Sequence, residues 1–150
     1  MGVATTYSAP GGKSCAPAAW AAALSTVVGF TQQKGSEAED RACRYLQAQG
    51  LTLVQRNYRV ARGPHRRGGE IDLIMRTSQG TLVFVEVRAR AQARQGGAGA
   101  SVTPLKQRRL VLAARHYLLR CSQPPPCRFD VVALEGSVLH WWPGAFEATA

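Results

Sequence analysis

Carboxylates are scarce in this chain. Its 150 residues carry 9 Asp plus Glu against 19 Lys plus Arg, a formal net charge of +10, and the sequence pI lies near 10.3. A field of that sign attracts polyanions, nucleic acid first among them, and the dominance of arginine over lysine suits phosphate. The alternative is a protein that is merely basic. Cysteine is also sparse: Cys15, Cys43, Cys121 and Cys127 show no Cys-x-x-Cys spacing. That argues against a zinc site built on them with His116 or His140. Cys43 falls in a helical pattern as a core thiol; Cys121 and Cys127 flank a proline run and could pair, though a reducing compartment would keep them as thiols. No apolar run reaches the ~18–20 residues needed to cross a bilayer. No internal repeat is present, so one domain is expected.

The first 33 residues are rich in Ala, Gly, Ser, Thr and Pro, with Lys13 their single charge. They read as a disordered or weakly helical extension without a clear targeting signal, ahead of a domain at 34–150 in a cytoplasmic protein. Ser36 followed by Glu39 has the form of a capping box, which predicts a helix over Glu37–Gln49 stopped by Gly50. Its inward stripe is Ala38, Ala42, Tyr45 and Leu46, extended by Cys43. Glu37, Arg41 and Arg44 form a solvated face. Strands are predicted near Leu53–Val60, Glu70–Arg76 and Thr81–Arg88. Thr103 then caps a helix with Pro104 in its first turn, running to about Leu119. Two short strands, Arg128–Leu134 and Val138–Trp142, follow a proline-rich break. The expected class is α/β, a mixed central sheet of about five strands with helices packed on it.

Because acids are few, the position of each matters. Asp72 and Glu86 lie in the middle of strand-forming runs, Gly69–Arg76 and Val83–Arg90, where an isolated charge costs stability unless paired or bound to metal. Ser78-Gln79-Gly80 between Thr77 and Thr81 makes a three-residue hairpin loop with Gly at the left-handed position. In that register paired residue numbers sum to 158, which sets Asp72 across from Glu86; a slip of one residue would put them on opposite faces. Two facing carboxylates repel unless a cation lies between them, and hard oxygen ligands in small number suit Mg²⁺ or Mn²⁺. Alternation sets Arg88 on the face of Glu86. Such a set could polarise a phosphodiester and orient a water. The competing reading is a buried ion-pair network that only fixes the sheet.

The residues Gly35 and Glu39, Asn57-Tyr58-Arg59, Gly69-Glu70-Ile71-Asp72-Leu73-Ile74, Phe84-Val85-Glu86-Val87-Arg88, Ser101-Val102, Lys106, Arg128-Phe129-Asp130-Val131-Val132 and Ala145-Phe146 together resemble the YraN-like family, a group of uncharacterised bacterial proteins. The resemblance extends from Gly35 to Phe146. It implies the restriction-endonuclease-like superfamily and its relatives, the Holliday-junction resolvases. In that superfamily a strand acid precedes Asp/Glu-x-Lys on the next strand, with a helical Glu before them. Carried over, Asp72 and Glu86 become metal-binding carboxylates, the carbonyl of Val87 a third oxygen ligand, and Glu39 the helical acid. Arg88 departs from the pattern, which has lysine there; arginine can position phosphate but cannot act as a base. Lys106, at the start of the second helix, could substitute in space; its alternative is a solvent-facing helix lysine.

Other residues fall around this set. Arg62, Arg66, Arg67, Arg90 and Arg94 on the flanking loops, with Arg108 and Arg109 on the second helix, are candidate phosphate contacts. Glu39 could instead only complete its capping box. Glu70 has the parity of Asp72 but sits at a loop edge that suggests solvent. Asp130 reads as structural, paired with an arginine, and Trp141 and Trp142 read as core or dimer-surface residues. The leading expectation is a Mg²⁺- or Mn²⁺-dependent endonuclease acting on structured DNA, including branched DNA, from a homodimer by analogy with the resolvases. The alternatives are a nucleic-acid-binding module on the same scaffold without cleavage, and a protein-interaction scaffold.

Overall fold

The computed structural model describes residues 31–61, 68–90 and 102–148, with backbone alone for residues 31–35 and Arg90. Residues 1–30 of the expected 1–33 extension and the loop positions Arg62, Arg66, Arg67 and Arg94 lie outside the described residues, and so does the Arg90 side chain; residues 31–33 open the first helix. In chain order the elements are α1 (Thr31–Ala48), β1 (Thr52–Val60), β2 (Gly69–Arg76), β3 (Leu82–Arg90), α2 (Pro104–Leu118), β4 (Cys127–Glu135) and β5 (Val138–Phe146). They form one five-stranded sheet in the order β1-β2-β3-β4-β5. Every neighbouring pair is antiparallel except β3 and β4, which run parallel through the α2 crossover. The mixed sheet and its two helices agree with the expected α/β class and with a restriction-endonuclease-like fold.

Strand alternation divides the core into two layers. On β3, Leu82 and Phe84 join Leu110, Ala113, Ala114 and Tyr117 of α2 in one cluster. Val83 and Val85 instead pack with Ala38, Ala42, Cys43 and Leu46 of α1. The α2 layer is tied by aromatic contacts: Phe84 meets Tyr117 edge-on at 6.0 Å and Phe129 at a tilt at 5.6 Å between centroids. Val87 packs against the α1 layer, so alternation turns the next even position, Glu86, toward α2.

Several local readings change. The first helix starts at Thr31, five residues before Ser36. Ser36 is therefore inside the helix and the Ser36–Glu39 capping box is not formed. Tyr45 is 36% exposed and lies edge-on to Trp141 at 6.3 Å, so the inward stripe is Ala38, Ala42, Cys43 and Leu46. Arg41 is not merely solvated: it donates to the carbonyls of Gly136 (2.8 Å) and Ser137 (3.0 Å), holding the β4–β5 turn. β5 continues past Trp142 through Pro143 to Phe146, with a register shift opposite Phe129–Val131. An edge strand tolerates that proline because its N–H side needs no partner. Cys127 is an exposed free thiol, so Cys121 and Cys127 do not pair, and Cys43 is free and buried. Trp141 and Trp142 are half-buried against the two core layers.

Asp130 is fully buried and gathers four donors. Arg128 binds it through Nε (3.0 Å) and Nη2 (3.2 Å), Trp141 through Nε1 (3.0 Å), and Gly144 through its backbone N–H (2.9 Å). A buried carboxylate so satisfied fixes β5 against β4, which is the structural role expected for it.

Candidate functional site

The hairpin that carries the acidic pair is built as its turn chemistry requires. Thr77 N–H donates to the Thr81 carbonyl (3.0 Å), Gly80 N–H to the Thr77 carbonyl (3.0 Å), and Gly80 adopts φ 89°. The pairs Arg76↔Leu82, Met75↔Val83, Ile74↔Phe84 and Leu73↔Val85 all sum to 158. The ladder stops there. Asp72 and Glu86, next in register, are not a ladder pair; instead Asp72 Oδ2 accepts the backbone N–H of Val87 at 2.7 Å. The N–H and carbonyl of one extended residue point to the same side, so the Val87 carbonyl is also directed toward β2 rather than β4.

The neighbouring strand is disturbed at the same level. β1 pairs Arg56 with Leu73 and Tyr58 with Ile71, but Asn57 between them has φ 50°, unique among the described non-glycine residues. Ile71 and Tyr58 pack in the α2 layer, whereas Leu73 packs in the α1 layer. Both strands thus change face at Asn57 and Asp72. Asparagine is the residue type that takes a left-handed conformation at small cost. Its side chain favours the charged form of Glu39, which makes Asn57 a member of the site that motif reading left out. An Asn in a strand-forming run was the available signal.

The site spans five elements: Glu39 on α1, Asn57 on β1, Asp72 on β2, Glu86 on β3 and Lys106 on α2. Thr103 caps α2, its Oγ1 accepting the Lys106 N–H at 3.4 Å, and this turn delivers Lys106 Nζ to 3.1 Å from Glu86 Oε2. Lys106 therefore faces the acidic pair and not open solvent. That contact lacks hydrogen-bond geometry, and buried Oε2 has no hydrogen-bond partner. Burial, then the charge of Asp72, pushes the Glu86 carboxyl up to about 7, against the opposing pull of Lys106. Asp72 is raised by burial and held back by the Val87 N–H and by Lys106. Both carboxyls are raised, and they titrate as a pair. Glu39 is also raised, by burial and then by Asp72.

The remaining candidates divide. Arg88 is half-buried further along β3 and engages in an interaction of its own. Glu70 is not simply solvated: it pairs with Arg59 (Nε–Oε1 2.7 Å). Arg109 is half-buried and Arg108 exposed on α2. His116 shares a 2.6 Å hydrogen bond with the Tyr58 hydroxyl, and no group of three or more His, Cys, Asp or Glu is arranged around a metal among the described residues. Two carboxylates and a carbonyl nonetheless fit Mg²⁺, which keeps several waters and is often held by one or two carboxylates. A buried carboxylate oxygen left without a donor fits the same ion.

Residues 38–134 match the model of the family described as Uncharacterised protein family UPF0102. The chain belongs to this family. UPF0102 proteins of Albidiferax ferrireducens (59% identical over 125 residues, 83% of this chain and 95% of the relative) and Methylibium petroleiphilum (60% over 119 residues, 79% and 98%) are close relatives. One from an Acidovorax species is 58% identical over 118 residues, 79% of this chain and 87% of its own. The matched UPF0102 region contains all five site positions. No described helix is long and apolar enough to cross a membrane.

Proposed function

We propose that this UPF0102 chain is a divalent-metal-dependent endonuclease that hydrolyses phosphodiester bonds in structured DNA, including branched DNA. The observation that carries the reading is Glu86: a buried carboxyl beside Asp72, with one oxygen lacking a hydrogen bond and a lysine ammonium 3.1 Å away. Such an arrangement destabilises the protein at neutral pH, and enzymes retain such costs at their sites.

Asp72, Glu86 and the Val87 carbonyl would hold Mg²⁺ or Mn²⁺, with Glu39 reaching it through water. When bound, the metal supplies an activated water and charge stabilisation on the phosphoryl oxygens. Lys106 does the work that the superfamily assigns to the strand lysine. Its ammonium neutralises the acidic pair and can hand a proton to, or hold, the oxygen at the reacting phosphate. Arg88, permanently charged, orients phosphate. The basic surface binds the DNA backbone. A cytoplasmic location and a homodimer complete the proposal.

The test is incubation of the purified chain with linear, single-stranded and four-way-junction DNA in Mn²⁺, Mg²⁺ or EDTA. Metal-dependent products that disappear in Asp72→Ala and Glu86→Ala are expected. DNA binding without any metal-dependent product would overturn the nuclease reading in favour of a non-catalytic binding module, which Arg88 at the lysine position favours.

A further inference from the structure

Next to the acidic pair lies a cleft of about 360 Å³ between the β1–β2 ends and the first turns of α2. Arg59, Lys106 and Arg109 line it together with Gly68 and Gly69, and Glu70 is the single acid among the described lining residues. Three cations around so small a space, with no aromatic ring among the described lining residues, suit a phosphate and offer no described ring for a base to stack on. Lys106 belongs to both places: its Nζ contacts Glu86 and its side chain walls the cleft. Arg59 spends Nε on Glu70 at 2.7 Å, one of five guanidinium donors. The ion pair holds that side chain in place.

Building on the nuclease reading, we infer that this cleft is a backbone subsite: it takes the phosphate adjacent to the one cut, held by Arg59 and Arg109, and it reads no base. The strand would then cross from the cleft over Lys106 to the acidic pair. Glu70 repels phosphate as well as propping Arg59, so it sets the position of the phosphate rather than adding affinity.

The experiment is fluorescence-anisotropy titration of the full chain with labelled single-stranded DNA and a four-way junction. EDTA excludes cleavage, and salt is varied from about 50 to 200 mM, where phosphate contacts show as a log–log slope. Arg59→Gln and Arg109→Gln are each expected to reduce that slope by about 1 and, at low salt, to weaken binding on the order of tenfold, equally for two oligonucleotides of unrelated sequence. Arg44→Gln, an exposed α1 position outside the cleft, is the charge-matched control and should change little. The Arg59 side chain is 63% exposed, so Arg59→Gln carries the test alone if Arg109→Gln melts early. Wild-type binding with cleft variants indistinguishable from Arg44→Gln overturns the subsite and leaves the nuclease reading standing. Sequence-dependent losses overturn a backbone-only subsite. Absence of wild-type binding to any DNA overturns the reading on which it rests.

Discussion

Asp72 accepts the backbone N–H of Val87, at 2.7 Å, where the β2–β3 ladder would otherwise continue. A side chain has replaced a main-chain acceptor, so the strands part and Asp72 and Glu86 meet at the opening. This places charge inside the sheet while leaving every contact up to Leu73↔Val85 regular.

Replacing either carboxylate by its amide should separate stability from activity. Asp72→Asn and Glu86→Gln are expected to lower metal-dependent cleavage by about 10²–10⁴-fold, with DNA affinity retained. Both should melt at higher temperature than the wild type at pH 8, because each removes a buried charge from a repelling pair. Thermal melts in EDTA beside cleavage assays check both.

Stability should also fall with rising pH. The folded value of Glu86, about 7, lies above its ordinary 4.5. Between these values the folded protein binds a proton that the unfolded chain has released. Stability therefore declines as pH rises through this window, and the loss is complete above about 7. The raised Asp72 acts in the same direction. Denaturant titrations at pH 5 and pH 8 in EDTA should show this, and Glu86→Gln should flatten the difference. Mn²⁺ at pH 8 should restore stability to the wild type and not to Glu86→Gln.

Lys106 and Arg88 can be ranked. Lys106→Met removes the cation 3.1 Å from Glu86 and should reduce the cleavage rate on the order of 10²-fold or more. Arg88→Lys should stay within about tenfold of wild type, since both side chains bind phosphate. Single-turnover rates decide; a large gain in Arg88→Lys with an unaffected Lys106→Met would return the lysine function to β3.

Gly69 governs how closely α2 approaches. A methyl there would sit 2.4 Å from the Arg109 carbonyl oxygen and 2.8 Å from Ala113 Cβ. Gly69→Ala should cost about 1–3 kcal/mol by overpacking, measured by urea denaturation. It should also weaken cleavage more than binding, because the shifted helix carries Lys106 away from Glu86.

The element order, the hairpin register and the two strand carboxylates were legible from residue patterns. Each rests on local chemistry: alternation, a Gly-closed loop, a Thr cap followed by Pro104. Local pattern misled at Ser36, where a capping-box form lies within a helix that starts at Thr31. Composition cannot separate a cap from a helical Ser-x-x-Glu. Tyr45 was misplaced because a helical stripe does not reveal how far the neighbouring β5 edge extends.

By itself the sequence determined a basic α/β domain with Asp72 and Glu86 at matched positions of one hairpin, because period and turn type act over a few residues. Only the tertiary structure decided which cation stands beside them. Lys106 is twenty residues from Glu86 in the chain, and it reaches that carboxylate because Gly69 lets α2 lie close on the sheet. The paired change of face at Asn57 and Asp72 likewise depends on two strands meeting at one level. Such coincidences are set by packing across elements, to which local periodicity is blind.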